Sequence, residues 1–449
     1  MLLDSVMSDS QPLTALEAAF VGLESRDVPF VHASILEFDR PIPLDALRPH
    51  VAAALAGVAR YRQRIARGRR GTTFWVDDED YRIDNQIYAA EVSAPGGARE
   101  LDELVAQLIA AELPPCHPPW RVWTVAGLAG GRGAVISVFH HALVDGVAGF
   151  RLLEQVLGVS QPPAAPPVRP HRRPTRLAAV RSLVAWRTVV ALARLLRDGV
   201  RPAAQLGLNP HHTRSSRVVA SHTVGLDAVK DIERAFGVTN NDVVLATVAG
   251  ALRLFLRRRG VDPDRVRDAR AMVPVNRHAR DEQEAAGNRV VLLLAPLPIA
   301  EADPVACLHQ VSRATHQLKA AQTASGGDLL VALGDATTPK LLLGVLRISL
   351  RMRGFNVLVT NIPGPRATLS LLGARLTRVV PIANLWPHQA IGIAVASYAG
   401  ALTFGLQADR AVVPNVADLR DDLAAAFTTL CRAAATEHRH VPAPASLHA

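Results

Sequence analysis

This chain is expected to fold as an α/β protein in two halves, and three features of its sequence carry that expectation. Helical and strand-like patterns of apolar residues alternate from about Pro12 to Gly158. A stretch dominated by proline, alanine and arginine, Gln161 to Pro174, then breaks the pattern with a composition that cannot pack a core. The length, 449 residues, is long for one domain and comfortable for two, and a hydrophobic content of 49% leaves ample material for cores. The expected organisation is an N-terminal half over residues 1–160, a linker over 161–212 and a C-terminal half over 213–449.

The elements follow in chain order. Leu13 to Glu24 has the spacing of a short amphipathic helix, and Val31 to Phe38 reads as a strand. Leu44 to Val58 and Leu101 to Leu113 read as two further helices. Trp123 to Gly127 is strand-like, and so is the apolar run Ala134 to Phe139, which ends on two histidines before a turn and a helix to about Leu157. Beyond the proline-rich stretch, Arg176 to Arg201 is helix-compatible. On a helical wheel Arg176, Arg187, Arg194, Arg197 and Arg201 fall within an arc of roughly 80°. Such a face suits either an anionic bilayer surface or a solvated side of the protein.

The second half opens with the strand-like Arg217 to Val224. Thr239-Asn240-Asn241-Asp242 supplies N-cap residue types for an apolar helix, Val243 to Arg259, ended by Gly260. Asn241 and Asp242 are therefore read as structural. Ala271 to Arg277 is a strand, Gly287-Asn288-Arg289-Val290 leads into an apolar run through Pro298, and Asn356 to Ile362 is a strand entering Pro363-Gly364-Pro365. Ile391 to Tyr398 and Ala401 to Gln407 form a hairpin turning at Ala399-Gly400.

Composition bounds the chemistry. The net charge is +10, and the lysines are few (Lys230, Lys319 and Lys340), so arginine carries the positive charge. A basic chain can bind nucleic acid, an anionic membrane or an anionic substrate. Aromatic residues amount to 4% and do not interleave with the arginines, which argues against nucleic acid. Cys116, Cys307 and Cys431 lie far apart and form neither a disulfide framework nor a metal knuckle. No His, Cys, Asp or Glu cluster has ligand spacing, so no metal is expected. No run approaches the roughly 20 apolar residues of a membrane span, and Met1 to Ser10 lacks the basic start of a signal peptide. A cytoplasmic chain, soluble or peripheral on the inner membrane face, is the expectation; nothing in the sequence sets an oligomeric state.

The stretch that carries chemistry is Val138-Phe139-His140-His141-Ala142-Leu143-Val144-Asp145-Gly146. Neighbouring strand residues point to opposite faces, so only one of the two imidazoles can face a given cleft. That spacing suits one catalytic and one supporting histidine, and a neutral imidazole can take a proton from an attacking alcohol or amine. Asp145 fixes local geometry, either by pairing with a distant arginine or by holding the turn, and Gly146 supplies backbone freedom. A lone histidine is more simply a satisfied core residue; the whole pattern between strand and helix points to catalysis.

This HHxxxDG pattern resembles the acyl-CoA-dependent acyltransferases that include chloramphenicol acetyltransferase and peptide-synthetase condensation domains. More closely, the chain resembles the bacterial wax ester synthase/diacylglycerol acyltransferases. The matching features, in family order, are Glu24 in Leu23-Glu24 to Pro29-Phe30, HHALVDG, NDVVLA, MVPVNR, GNRV, NVLVTNIPGP and the IAVASY and GLQAD pair. Pro118-Pro119-Trp120 departs from the usual Pro-Leu-Trp, Asn276 and His278 stand where Ser-Val-Arg is common, and His388 replaces a small residue.

The resemblance implies two chloramphenicol-acetyltransferase-like subdomains, with mixed sheets flanked by helices and an active-site channel between them. It implies His141 as general base beside His140, acyl-CoA as co-substrate and no bound cofactor. The acceptor would be diacylglycerol or a long-chain alcohol. Asn288 and Glu24 are candidate substrate-binding groups, and Arg277 is the candidate partner of Asp145. His211-His212 lacks the following Asp-Gly and is read as surface. Two alternatives stand beside this reading. One is acylation of another hydroxyl or amine acceptor from CoA or a carrier protein; the other is a non-catalytic lipid-binding protein that has kept the fold.

Overall fold

The computed structural model describes residues 10–68, 72–143, 156–158, 202–276, 290–324 and 339–440. The expected arginine-faced helix at 176–201 lies outside them. The N-terminal half contains β1 (Gln11–Pro12), α1 (Ala15–Leu23), β2 (Val31–Phe38), α2 (Leu44–Leu55), β3 (Gln63–Arg67), β4 (Thr73–Asp77), β5 (Ile87–Glu91), α3 (Ala98–Ala110), β6 (Trp120–Leu128) and β7 (Arg132–His140). The rest contains β8 (Arg217–Gly225), α4 (Leu226–Phe236), α5 (Asn240–Arg258), β9 (Arg270–Asn276), β10 (Val290–Pro296), α6 (Pro304–Ala324), α7 (Pro339–Arg351), β11 (Val357–Ile362), β12 (Ser370–Leu371), β13 (Ala374–Ile382), β14 (Ile391–Tyr398), β15 (Ala401–Asp409) and α8 (Val416–His440). No single helix among the described residues is long and apolar enough to cross a membrane.

Local chemistry sets these boundaries. At the start of α1 the Thr14 hydroxyl accepts from the Glu17 N–H at 3.2 Å, while the Glu17 carboxylate accepts from the Thr14 N–H at 2.8 Å. This reciprocal cap satisfies two donors that a helix start leaves open. α5 begins three residues earlier than the sequence implied, at Asn240 rather than Val243. Thr239, not an asparagine, is the N-cap, and Asp242 at the third helical position returns the bond to the Thr239 N–H at 2.9 Å. The second Asp242 oxygen accepts from the Thr315 hydroxyl at 2.6 Å and so ties α5 to α6. Burial alone would push this carboxyl up, but the bonds from Thr315 and Thr239 outweigh it and hold it below its usual range. Asn241 lies half-buried in the same turn.

Two six-stranded mixed sheets form the halves, in the orders β12-β13-β2-β7-β6-β5 and β10-β9-β11-β14-β15-β8. α2 covers one face of the first sheet, where Leu47, Val51 and Leu55 meet Phe38 and Trp120. α3 covers the other, where Leu101, Val105 and Ile109 meet Ile35, Ile136 and Val138. The second sheet carries α4, α5, α6 and α8 on one face. On its opposite face, α1 and α7 pack against Met272, Leu358 and Trp386. Each such large side chain contributes about 1.5–3 kcal/mol by leaving water.

The sheets do not follow the chain. β13, from the C-terminal half of the sequence, pairs antiparallel with β2 of the first sheet, from Leu376 opposite Phe38 to Ile382 opposite Ala33. Glu37, nearly buried on β2, receives Arg378 of β13 at 2.8 Å and Arg132 of β7 at 3.3 Å. Arg378 also donates to Ser221 at 2.8 Å and Thr223 at 2.9 Å on β8, so one guanidinium joins both sheets. Where β13 crosses β15 the backbones come so close that a Cβ on Gly405 would overlap the Pro381 carbonyl.

Candidate active site

β7 runs as the buried strand its apolar sequence requires and delivers the histidine pair to the meeting of the two halves. In register with β2, His140 stands opposite Val31 and Phe139 opposite His32. Pairing stops there. The His140 N–H donates to the Pro119 carbonyl at 2.9 Å, the His141 N–H to the Phe30 carbonyl at 2.8 Å, and the Leu143 N–H closes a turn on the His140 carbonyl at 2.9 Å.

The two rings enter different surroundings. His140 is 2% exposed, and its Nδ1 accepts from the Ala142 N–H at 3.0 Å. A neutral imidazole whose Nδ1 accepts must carry its proton on Nε2. That Nε2 lies 3.6 Å from a carboxylate oxygen of Glu24, the residue that ends α1. His141 is half-buried and stacks on Phe20 at 4.6 Å and Phe30 at 5.7 Å between ring centroids. Trp386, from the other half, meets Phe30 edge-on at 5.1 Å and Phe20 at 6.2 Å.

A third imidazole completes the group. His32 of β2 meets the His141 ring edge-on at 5.6 Å, and both its ring nitrogens are buried without a hydrogen-bond partner. Burial, with the neighbouring His141 and His140, pushes its pKa down to about 3. It is therefore neutral at any physiological pH. Sequence reasoning missed it because a polar residue at an alternating strand position looks like an outward-facing one.

Two cavities flank Glu24. The larger, about 660 Å³, is walled by β3, β4 and the Pro114-Pro115 segment, with His140 and Glu24 at its edge. Val21, Ile65, Phe74, Val76 and Leu113 make it largely apolar. The second, about 520 Å³, lies between the end of α1, the exposed side of α7 and the segments around Thr213 and His388. Of the residues singled out in the sequence, the structure brings His140, His141 and Glu24 together. Asn241 and Asp242 sit in the capped turn of α5. Asp145, Gly146, Arg277 and Asn288 lie outside the described residues. Among the described residues, no group of three or more His, Cys, Asp or Glu could hold a metal ion.

A family model described as the wax ester synthase/diacylglycerol acyltransferase catalytic domain matches residues 13–244, and one for the WS/DGAT C-terminal domain matches 286–431. The chain belongs to the wax ester synthase/diacylglycerol acyltransferase family. This WS/DGAT chain is thus an acyltransferase of triacylglycerol or wax ester synthesis. It is 32% identical to the probable diacylglycerol O-acyltransferase tgs2 of Mycobacterium tuberculosis over 82% of this chain and 83% of that one. The probable diacylglycerol O-acyltransferase tgs1 of the same organism is 29% identical over 91% and 93%.

Among solved structures, a WS/DGAT from Marinobacter aquaeolei superposes with a TM-score of 0.70 at 24% identity, covering 95% of this chain and 100% of that one. The first condensation domain of a calcium-dependent antibiotic synthetase gives a TM-score of 0.65 at 18% identity, over 95% and 97%. These likenesses establish the fold expected from the sequence: two α/β subdomains of the chloramphenicol-acetyltransferase and condensation-domain type.

Proposed function

We propose that this WS/DGAT enzyme transfers a long-chain fatty acyl group from acyl-CoA to the hydroxyl of diacylglycerol or a long-chain alcohol, with His141 as general base. The observation that carries the base assignment is the hydrogen bond from the Ala142 N–H to His140 Nδ1. It leaves His140 with its proton on Nε2 and no lone pair to offer a substrate, so His140 is the supporting donor beside Glu24. The proton-accepting role then falls to His141, beside it at the meeting of the halves.

The chemistry follows. His141 takes the hydroxyl proton as the alcohol oxygen attacks the thioester carbonyl. The tetrahedral oxyanion needs preorganised donors, collapses with cleavage of the C–S bond, and the protonated His141 returns its proton to the leaving thiolate. Ester and free CoA result, without a covalent enzyme intermediate. Asn288 serves as a polar group near the reacting centre, Asp145 pairs with Arg277 to hold the loop, and Gly146 lets the turn approach the histidines. The division at 161–212 separates the catalytic half from its partner half. The apolar cavity beside His140 suits a hydrocarbon chain, and the arginine-rich 176–201 segment suits peripheral attachment to an anionic membrane or lipid inclusion.

The test is thiol release from palmitoyl-CoA by the purified protein, with hexadecanol and dioleoylglycerol offered separately. Acceptor-dependent release supports the reading, and the faster acceptor identifies the physiological class. Release with neither acceptor contradicts it.

A further inference from the structure

The second cavity is cationic. Its walls present Arg214 and His212 from the segment before β8, Arg347 and Arg351 from α7, and His388 from the segment before β14, against the carboxylates of Glu24 and Asp27. Arg347 and Arg351 are four residues apart and so lie on one helix face. Both are exposed, as is Arg214. Among the described residues none of these three arginines has an ion pair. Arg347 uses one nitrogen to donate to the Gly22 carbonyl at 2.8 Å, out of a guanidinium with about five N–H groups.

His388 is built into the wall rather than draped over it. It is half-buried and held at φ 65°, a conformation that a non-glycine residue adopts only when its surroundings impose it. Its Nδ1 is buried without a partner. Burial pushes its pKa down against the raising effect of hydrogen bonds to the His211 and Pro210 backbone, and the nearby Arg353 and His212 add a smaller push downward. Three features that the mechanism leaves unused thus converge here: His212, His388 and the charged face of α7.

The cavity also adjoins the reacting centre. Glu24 lines it and lies 3.6 Å from His140. Pro387 and His388 follow directly on Trp386, whose indole packs against the two phenylalanine rings that stack on His141. A volume of about 520 Å³ accommodates a nucleotide-sized group, and three guanidinium groups arriving from two separate segments suit a polyanion better than a single phosphate.

We propose that this cavity seats the phosphorylated nucleotide end of the acyl-CoA donor, with Arg214, Arg347 and Arg351 as its phosphate contacts. The pantetheine arm would pass Glu24 toward the histidines. The proposal rests on the acyl-CoA reading above and adds to it the location of the donor's anionic end. It also favours CoA over a carrier-bound donor, whose single phosphodiester would leave most of these cations unused.

The test compares the full-length protein with Arg347→Gln, Arg351→Gln and the double variant, using Lys340→Gln on the same helix as a control. Two donors are used, palmitoyl-CoA and palmitoyl-pantetheine, which lacks every phosphate. The expected result is a rise of about tenfold per arginine in the KM for palmitoyl-CoA relative to that for palmitoyl-pantetheine, with the control ratio unchanged. An unchanged ratio in the double variant overturns the proposal, and so does an equal rise with both donors, which would mean a structural role. Because Arg347 also holds Gly22, Arg351→Gln alone keeps the test open if the double variant misfolds.

Equilibrium binding of CoA separates the site from the reaction. If the wild type turns over no donor yet binds CoA and loses that binding in the double variant, the site stands and the acyltransfer reading fails. Intact CoA binding in the double variant, with loss of its binding to phosphatidylglycerol vesicles, assigns the arginines to a lipid surface and overturns the proposal.

Discussion

Replacing His32 with leucine should change how stability depends on pH. His32 has an ordinary imidazole pKa of 6.5 in the unfolded chain and one of about 3 in the folded protein. As pH falls below 6.5 the unfolded state gains a proton that the folded state refuses, so this group removes stability on acidification and costs nothing through protonation above neutrality. Between pH 7 and pH 4.5 the difference amounts to about 2.5 kcal/mol. At pH 7 the leucine variant is expected to be more stable by about 1 kcal/mol, because two buried ring nitrogens without partners disappear.

Urea unfolding of both proteins at pH 7 and pH 4.5 reads the two effects together, and the contributions of other titrating groups cancel in the comparison. The gap between variant and wild type must widen as pH falls. A gap equal at both pH values, or a His32 resonance titrating near 6.5 in the native protein, would mean that burial does not keep this imidazole neutral.

Three further outcomes are expected. Gly405→Ala forces the β13–β15 crossing apart and should destabilise by about 3 kcal/mol or more, measured as a fall in thermal midpoint; a shift of less than about 2 °C contradicts the close approach. Glu24→Gln removes the charge beside His140 Nε2 and should lower kcat about tenfold, short of the loss expected for a general base; an unchanged kcat would remove Glu24 from the site. Of the thiols, exposed Cys116 should react with a disulfide reagent in the native protein, whereas Cys307, whose pKa burial pushes up to about 12, should react only after unfolding; early labelling of Cys307 would contradict its burial.

How much of this was legible in the sequence varies with the range of the interaction. β2 was expected at Val31 to Phe38 and lies there, and the run into His140 was expected as a buried strand, because both depend on local apolar patterning. α5 was placed within a few residues, with its start read three residues late and its cap assigned to Asn or Asp instead of Thr239. β13 was not foreseen. Its partner β2 is remote in sequence, and its own residues, Ala374 to Ile382, alternate without saying where they pair. The hairpin of β3 and β4 was missed for a related reason: Gln63 to Arg67 is charged enough to read as loop, yet it walls the apolar cavity.

At the site, the histidine pair and Glu24 were legible from motif and resemblance. His32, Phe20 and Trp386 were not, since they converge through β2, α1 and the segment before β14. His212 looked like surface and is exposed, but only the fold shows that it faces α7 across a cavity.

The mechanism turns on His141, and not His140, taking the proton. The most direct measurement is the rate of acyl transfer from palmitoyl-CoA to the preferred acceptor by His141→Ala beside His140→Ala, each with its fold checked by circular dichroism. A loss of about 10²–10⁴-fold is expected for His141→Ala, the range for removal of a general base, and a clearly smaller loss for His140→Ala. Equal activity of His141→Ala and wild type, or the larger loss on the His140 side, would contradict it.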